Sequence, residues 1–345
     1  MHDLLELTKQ LTTIPSPTGF TNRVVQFIEE ELQVVGYQPT RNNKGSLLVT
    51  VPGKNNEQQR FVTAHVDTLG AIVRAIKPNG RLKLDLIGGF KYNAIEGEYC
   101  TIHSAKGEFS GTILMRQTSV HVYKDAGSAE RNQENMEVRI DEKVTNEQET
   151  RALGIEVGDF ISFDPRTQIT ANGFLKSRHL DDKVSAAILL KFLRELKTTG
   201  KKLPYTTCFL FSNNEEIGYG GNSNISEEVV EYLAVDMGAM GDDQQTDEYS
   251  LSICVKDASG PYHLGLRNHF VRLCQEQEIA YQLDIYPYYG SDASAAMRAG
   301  ADVKHGLVGA GIEASHAYER THVSSITATY RFIETYLFSS LADEV

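Results

Sequence analysis

The chain lacks several things that would each have pointed somewhere specific. No apolar run reaches membrane-spanning length, and the opening MHDLLELTKQ lacks the features of a signal peptide, so a cytoplasmic protein with no membrane partner is expected. Cysteine is scarce: Cys100, Cys208, Cys254 and Cys274 stand far apart with no CxxC pair. Buried free thiols are therefore expected, not disulfides or a zinc knuckle. Basic clusters are absent as well, and the formal net charge of −12 argues against a nucleic-acid partner. There is no GxSxG, no GxxxxGK[ST] and no cysteine in a catalytic setting, which disfavours nucleophilic hydrolases and P-loop enzymes. The chain has no internal repeat and no low-complexity tract.

What is present is ordinary globular patterning over 345 residues, with 41% hydrophobic and 23% charged residues. Leu4, Leu5, Leu7 and Leu11 recur at near-helical spacing, and IPSPTG (14–19) stops that helix. Thr21 can cap a second helix, with Val24, Val25, Ile28, Leu32 and Val35 on one face and a stop at Gly36. Strand-like runs follow at 46–51 and 61–66. From about residue 70 to 163 helical periodicity fades into short alternating runs such as RLKLDLI, YCTIHS and GTILMR, which predict a β-rich insert. Within it, the polar stretch 124–150 predicts a long solvated or partly disordered loop. Strands and helices alternate again from 164 onward, with a convincing helix from Asp181 to Leu196 and a closing one from Ile326 to Leu341. The predicted fold is α/β, a mostly parallel central sheet covered by helices. Residues 1–69 and 164–345 would form the catalytic domain and 70–163 an inserted β-rich domain for dimerisation or oligomerisation. Exposed β edges in the insert would make good pairing surfaces.

The chemistry gathers where apolar strands end. His65 and Asp67 close AHVD, Glu215 and Glu216 follow YTTCFLFSNN, and Asp236 follows LAV. Ligands bind beyond the carboxyl ends of strands in open α/β sheets, so these three exits converge on one crevice. Carboxylates gathered there repel one another unless a cation neutralises them, and a metal site is the economical reading. For each piece alone a plainer reading competes: HxD as a strand-end turn, EE as a solvated acidic loop, and the two aspartates of RHLDDK (178–183) as helix caps. Only one cap is needed, which leaves the other carboxylate free to bridge cations. SHAYERTH (315–322) adds His316 and His322 as further candidate ligands. Histidine with carboxylates and no thiolate suits zinc, manganese or cobalt, and two such ions about 3.5–4 Å apart can activate water.

Taken in order, PSPTG, AHVDTLG, DDK, NNEEIGYGG, AVDMGA, YGSDASA and ERTH resemble the tetrahedral aminopeptidases, cytosolic exopeptidases with two catalytic metal ions. The resemblance runs nearly the full length and includes the place of the insert, between the HxD strand and the DD helix. It implies that His65, Asp181 and Asp236 hold one metal and that Asp181, Glu216 and His322 hold the other, with Asp181 shared. It further implies Glu215 as general base, Asp67 as the residue orienting His65, and zinc or cobalt as the metals, with manganese as another fit. The family places two residues between the arginine and the last histidine, whereas Arg320 and His322 are separated by one, so His316 remains an alternative ligand. Asp292 in YGSDASA could receive the substrate's free amino group or cap the helix that follows.

The expected function is removal of N-terminal residues from peptides by a metal-activated water, in a homo-oligomer of the tetrahedral dodecamer kind. A di-metal deacylase or dipeptidase acting on small substrates is the alternative. A catalytically dead metal-binding scaffold fits less well, because Glu215 is intact. A polysaccharide hydrolase working through paired carboxylates would leave the histidines without a purpose.

Overall fold

The structure is a computed structural model that describes residues 2–343. The chain opens with α1 (His2–Thr13), α2 (Asn22–Val34), β1 (Thr40–Arg41), β2 (Leu47–Val51) and β3 (Asn55–His65). A second group follows: β4 (Gly70–Ile76), β5 (Leu82–Ile87), β6 (Tyr99–Ser104), β7 (Gly107–Met115), β8 (Met136–Ile140), α3 (Glu147–Ala152) and β9 (Phe160–Phe163). Next come β10 (Gln168–Ile169), β11 (Phe174–Ser177), α4 (Leu180–Thr199), β12 (Tyr205–Ser212), β13 (Val229–Ala239), β14 (Leu251–Asp257) and β15 (Gly260–Pro261). The last elements are α5 (Leu264–Glu276), β16 (Tyr281–Ile285), α6 (Asp292–Arg298), β17 (Lys304–Ile312), β18 (Glu319–His322) and α7 (Val323–Phe338).

The periodic helices form as their spacing demands. α1 buries Leu4, Leu7 and Leu11, and α2 buries Val24, Val25, Ile28 and Leu32. α4 is apolar almost all round, with Leu180, Ile188, Leu189, Leu190 and Leu193 fully buried against the sheet, α1 and α7. Each such side chain contributes about 2 kcal/mol.

The central sheet is mixed and not mostly parallel, with strand order β1-β2-β12-β3-β13-β17-β14-β15 and β16 beside β14. Its inner block β12-β3-β13-β17 is parallel, as continuous apolar strands buried on both faces require. β2 joins β12 and β14 joins β17 in antiparallel fashion, which local patterning could not foretell. β3 shows the two covered faces: Val62 and Ala64 belong to one core and Phe61 to the other.

Between β3 and α4 the chain forms a closed barrel, β4-β5-β8-β7-β6-β9, around Val73, Leu84, Ile102, Ile113, Val138 and Ile161. Closure gives every barrel strand a neighbour on both sides, although β5 and β8 meet only at Leu82 and Val138, so the insert is not the open sheet that pairing edges would need. The polar stretch 124–150 is not simply a solvated loop. It contains β8 and the start of α3, whose cap Asn146 accepts a hydrogen bond from the Glu149 amide at 3.0 Å. Among the described residues, no helix is long and apolar enough to cross a membrane.

Candidate metal centre at the carboxyl ends of the strands

Strand register sets the site. Ser212 pairs with His65 across β12 and β3, and Ala234 pairs with Thr63 across β13 and β3, which brings Asp236 level with His65. Asp236 in turn lies opposite Gly309 of β17, where any Cβ would sit 1.9 Å from the Asp236 carbonyl. Glycine is therefore what lets β17 run close beside that residue.

His65 is buried, and its Nδ1–H donates to the backbone carbonyl of Asp67 at 2.9 Å. Its Nε2 then faces Asp181 Oδ1 at 3.0 Å. Asp67 orients His65 through this carbonyl, since its carboxylate is 3.6 Å from Nδ1. That carboxylate accepts instead from the amides of Glu215 (3.2 Å) and Glu216 (3.3 Å), and so holds the turn after β12. The early PSPTG loop supports the same spot: Thr18 donates to Asp67 at 2.7 Å and Ser16 to the Val66 carbonyl at 2.8 Å. Lys183, fully buried, donates to Ser16 at 2.6 Å, and burial pushes its ammonium down to about 7.

Two findings alter the expected residue set. His316, not His322, stands at the site. Its Nδ1–H donates to the Gly89 carbonyl at 3.0 Å, and its Nε2 faces Asp181 Oδ2 at 3.3 Å and Glu216 Oε2 at 3.6 Å. His322 caps α7, accepting from the Ser324 amide at 3.1 Å, while its Nε2 reaches the Asn172 carbonyl at 2.9 Å. The reason is the ladder between β18 and β11, which pairs Glu319 with Ser177 beside the site and His322 with Phe174 at the far end. Three residues of strand separate the two positions by about 10 Å. The second finding is Asp182, which the sequence reading left out. Its Oδ2 accepts from the His65 amide at 3.1 Å, and its Oδ1 is buried without a partner.

Asp292 does not cap its helix. Ser291 and Ser294 form the capping box of α6, and the Tyr262 hydroxyl, itself donating to Asp257, lies 2.7 Å from Ser291. The unusual 255–263 loop thus braces this helix start. Asp292 accepts from Ser212 at 2.5 Å and turns an unpartnered Oδ1 toward Gly220, where a Cβ would lie 2.1 Å away.

The side chains offer two overlapping donor sets, His65–Asp182–Asp236 and His65–Asp181–Glu216, with ligand atoms within 4.8 Å of one another in each. Buried oxygens of Asp182, Asp236 and Asp292 have no hydrogen-bond partner. Such orphans are costly unless a cation or a ligand's donor completes them. Electrostatics agree. Burial, reinforced by neighbouring carboxylates, pushes Glu216 up to about 8, Asp236 to about 7 and Asp292 to about 6, and raises Glu215 well above its ordinary range. Burial opposes ionisation of Asp181 too, but hydrogen bonds from His316 and His65 hold its carboxyl below the usual range. His65 is raised well above its normal value and His316 to about 11, because the surrounding carboxylates outweigh the cost of burial. This donor set, oxygen and imidazole nitrogen without thiolate, fits a divalent metal.

A cavity of about 270 Å³ opens onto Glu215, Glu216, Asp236, Asp292 and His316 and is bounded by Arg298. A neighbouring cavity of about 470 Å³ is lined in part by Met237, Ala239, Met240 and Pro287, together with Gln244 and Glu313. Tyr288, Tyr289, His316 and Gly89, the last from the barrel, border both.

The chain resembles known proteins at this point. Residues 45–332 match the family model described as M42 glutamyl aminopeptidase. The chain is 62% identical over 338 residues to YhfE of Bacillus subtilis (strain 168), an aminopeptidase by name only, covering 98% of both chains. It is 26% identical over 221 residues to the glutamyl aminopeptidase of Lactococcus lactis subsp. cremoris (strain MG1363), covering 64% of this chain and 61% of that one. In fold it matches the TET1 peptidase of Pyrococcus horikoshii, which can assemble into a tetrahedron or a large octahedral shell. The TM-score there is 0.86 at 21% identity, over 98% of this chain and 100% of that one. It also matches the TET aminopeptidase of Thaumarchaeota archaeon SCGC AB-539-E09, with a TM-score of 0.88 at 20% identity over 97% and 96% of the two chains. The match across most of the length, together with the 62% relative, makes the chain a member of the M42 aminopeptidase family and hence a hydrolase of peptide bonds.

Proposed function

We propose that this protein is a metal-dependent aminopeptidase that holds two divalent cations, zinc or cobalt, with manganese a further fit. One observation carries the reading: the two oxygens of Asp181 face the Nε2 atoms of two different histidines, at 3.0 Å and 3.3 Å, while both Nδ1 atoms are committed to carbonyls. With Nδ1–H given to a carbonyl, each imidazole that releases its Nε2 proton turns a lone pair toward a carboxylate, an arrangement that a cation in place of that proton satisfies. Asp181 is then the shared ligand, with His65 and Asp236 on one side and Glu216 and His316 on the other. Asp182, grouped with His65 and Asp236 by distance, is a further donor on the first side.

Bound there, divalent cations would polarise the scissile carbonyl and acidify a water. Glu215 does the proton work: its carboxylate lies 3.9 Å from His65 Nε2 and borders the cavity. It takes a proton from the attacking water and returns it to the leaving amine. Asp292 offers its free oxygen to the substrate's α-ammonium, which would make a free N-terminus a requirement. The four buried, unpaired cysteines accord with work in the reducing cytoplasm. A homo-oligomer, such as a tetrahedral dodecamer, is proposed from the kinship with the TET peptidases.

The test is an assay of aminoacyl and N-acyl substrates with and without chelator, alongside bound metal. Free-amine substrates should be cleaved, and chelation should abolish cleavage. Glu215→Gln should retain its metal and lose about 10²–10⁴-fold in turnover. Full turnover in that variant would remove Glu215 as the base. A preference for N-acyl substrates would favour the deacylase alternative.

A further inference from the structure

Glu319 was assigned no role by the motifs, yet it touches both halves of the centre. It is buried on β18, 2% exposed, and among the described residues it has no basic partner within ion-pair distance. Its Oε2 accepts from the Asp181 amide at 3.2 Å and its Oε1 from the His316 amide at 3.0 Å. A buried carboxylate answered only by backbone amides is an expensive choice. A glutamine would cost less but has a single acceptor oxygen, so only a carboxylate can receive one N–H donor on each of two oxygens, as here. Both donors belong to residues of the cluster.

The surroundings make this contact consequential. Asp181 departs from helical geometry at the entrance to α4, at φ −73° and ψ 102°. His316 sits at φ +63° and Ala314 at +56°, left-handed backbone that a non-glycine residue adopts only when neighbours hold it there. Arg178, also buried, donates to the Ala317 carbonyl at 3.1 Å from the other side and is joined to the barrel through the Ala94 carbonyl. The β11–β18 ladder places Glu319 opposite Ser177, within reach of both segments.

We propose that Glu319 is a positioning residue that fixes the spacing of Asp181 and His316 by binding one backbone amide with each carboxylate oxygen. This rests on the two-metal reading above. Its use is to hold the Asp181 carboxylate and the His316 ring at a separation suited to a shared cation, although they are far apart in the chain.

The test compares wild-type protein, Glu319→Gln and Glu319→Asp, each stripped with chelator and titrated with zinc, and with cobalt for its visible spectrum. Metal bound per chain and the melting midpoint with and without metal are the readouts. In Glu319→Gln one of the two equivalents should weaken by about 10–100-fold, with a changed cobalt spectrum and a nearly unchanged metal-free midpoint. Glu319→Asp keeps the charge but is one methylene shorter, and it should lie between the other two proteins. Two equivalents bound by Glu319→Gln with wild-type affinity and spectrum would overturn the proposal. So would failure of both variants to fold, which would make Glu319 a folding residue. A wild type that takes up no metal would overturn the metal reading itself, and this proposal with it.

Discussion

A single register relation decides which histidine serves the cluster. Glu319 and His322 lie on one short strand, and pairing with β11 keeps the first near Asp181 and sends the second to the start of α7. Replacing His316 with alanine should therefore remove one equivalent of bound metal. His322→Ala should leave both in place and cost about 1 kcal/mol through loss of a helix cap. Metal content and melting midpoints of the two variants check this, and the reverse pattern would restore His322 as the ligand candidate. The residue types of the site were legible because carboxylates recur after apolar strands: His65, Asp67, Glu215, Glu216 and Asp236 are brought together where those strands end. His316 was harder to rank, because its position depends on a left-handed turn that leaves no mark in spacing. Asp182 was hidden for a related reason. Helical geometry would have turned it away from Asp181, but the backbone at both residues is not helical.

Elements differ in how much they reveal of themselves. Helices such as α1 and α2 announce their buried face within a dozen residues, because their partners lie along one stripe. The alternating runs after residue 70 likewise mark strands, but barrel closure depends on pairing between distant segments, such as β4 with β9. The antiparallel flanks of the central sheet were missed for the same reason. The contact between the barrel and the segment joining α1 to α2 carries its own titration. His103 on β6 is buried, lies 2.8 Å from Ser162 and packs on the Phe20 ring at 4.6 Å. Burial lowers its pKa, with Glu108 only partly opposing. The unfolded chain, where histidine titrates near about 6.5, thus binds this proton more readily than the folded one. His103 contributes its full stability above that pH and loses it as pH falls through the lower folded value. The stability gap between wild type and His103→Gln should be level near about pH 8 and shrink on acidification below about 6.5, as read by urea unfolding. A gap that widened in acid would contradict the assignment.

At the scale of the whole molecule, the barrel both closes on itself and reaches the site. Gly89 lends its carbonyl to His316, and Gly88 packs by Leu69 and Glu216. Tyr99, Val120 and Val122 remain exposed in the barrel region, at 62%, 74% and 71%. If the proposed assembly forms, light scattering should report a multiple of 38.4 kDa, and a mass equal to that figure would exclude it.

The placement of the barrel also imposes an order in time. β3 is a central strand, yet both of its neighbours in the sheet, β12 and β13, are encoded after the barrel. His65 and Asp181 are 116 residues apart. At about 5–20 residues per second of synthesis, β3 leaves the ribosome roughly 6 to 23 s before the Asp181 segment. During that interval both edges of an apolar strand stand open, and only near its end does the barrel gain β9, the last partner its sheet requires. The nascent chain can therefore finish its insert before its main sheet, and the period of greatest exposure to aggregation falls on the strand that carries His65.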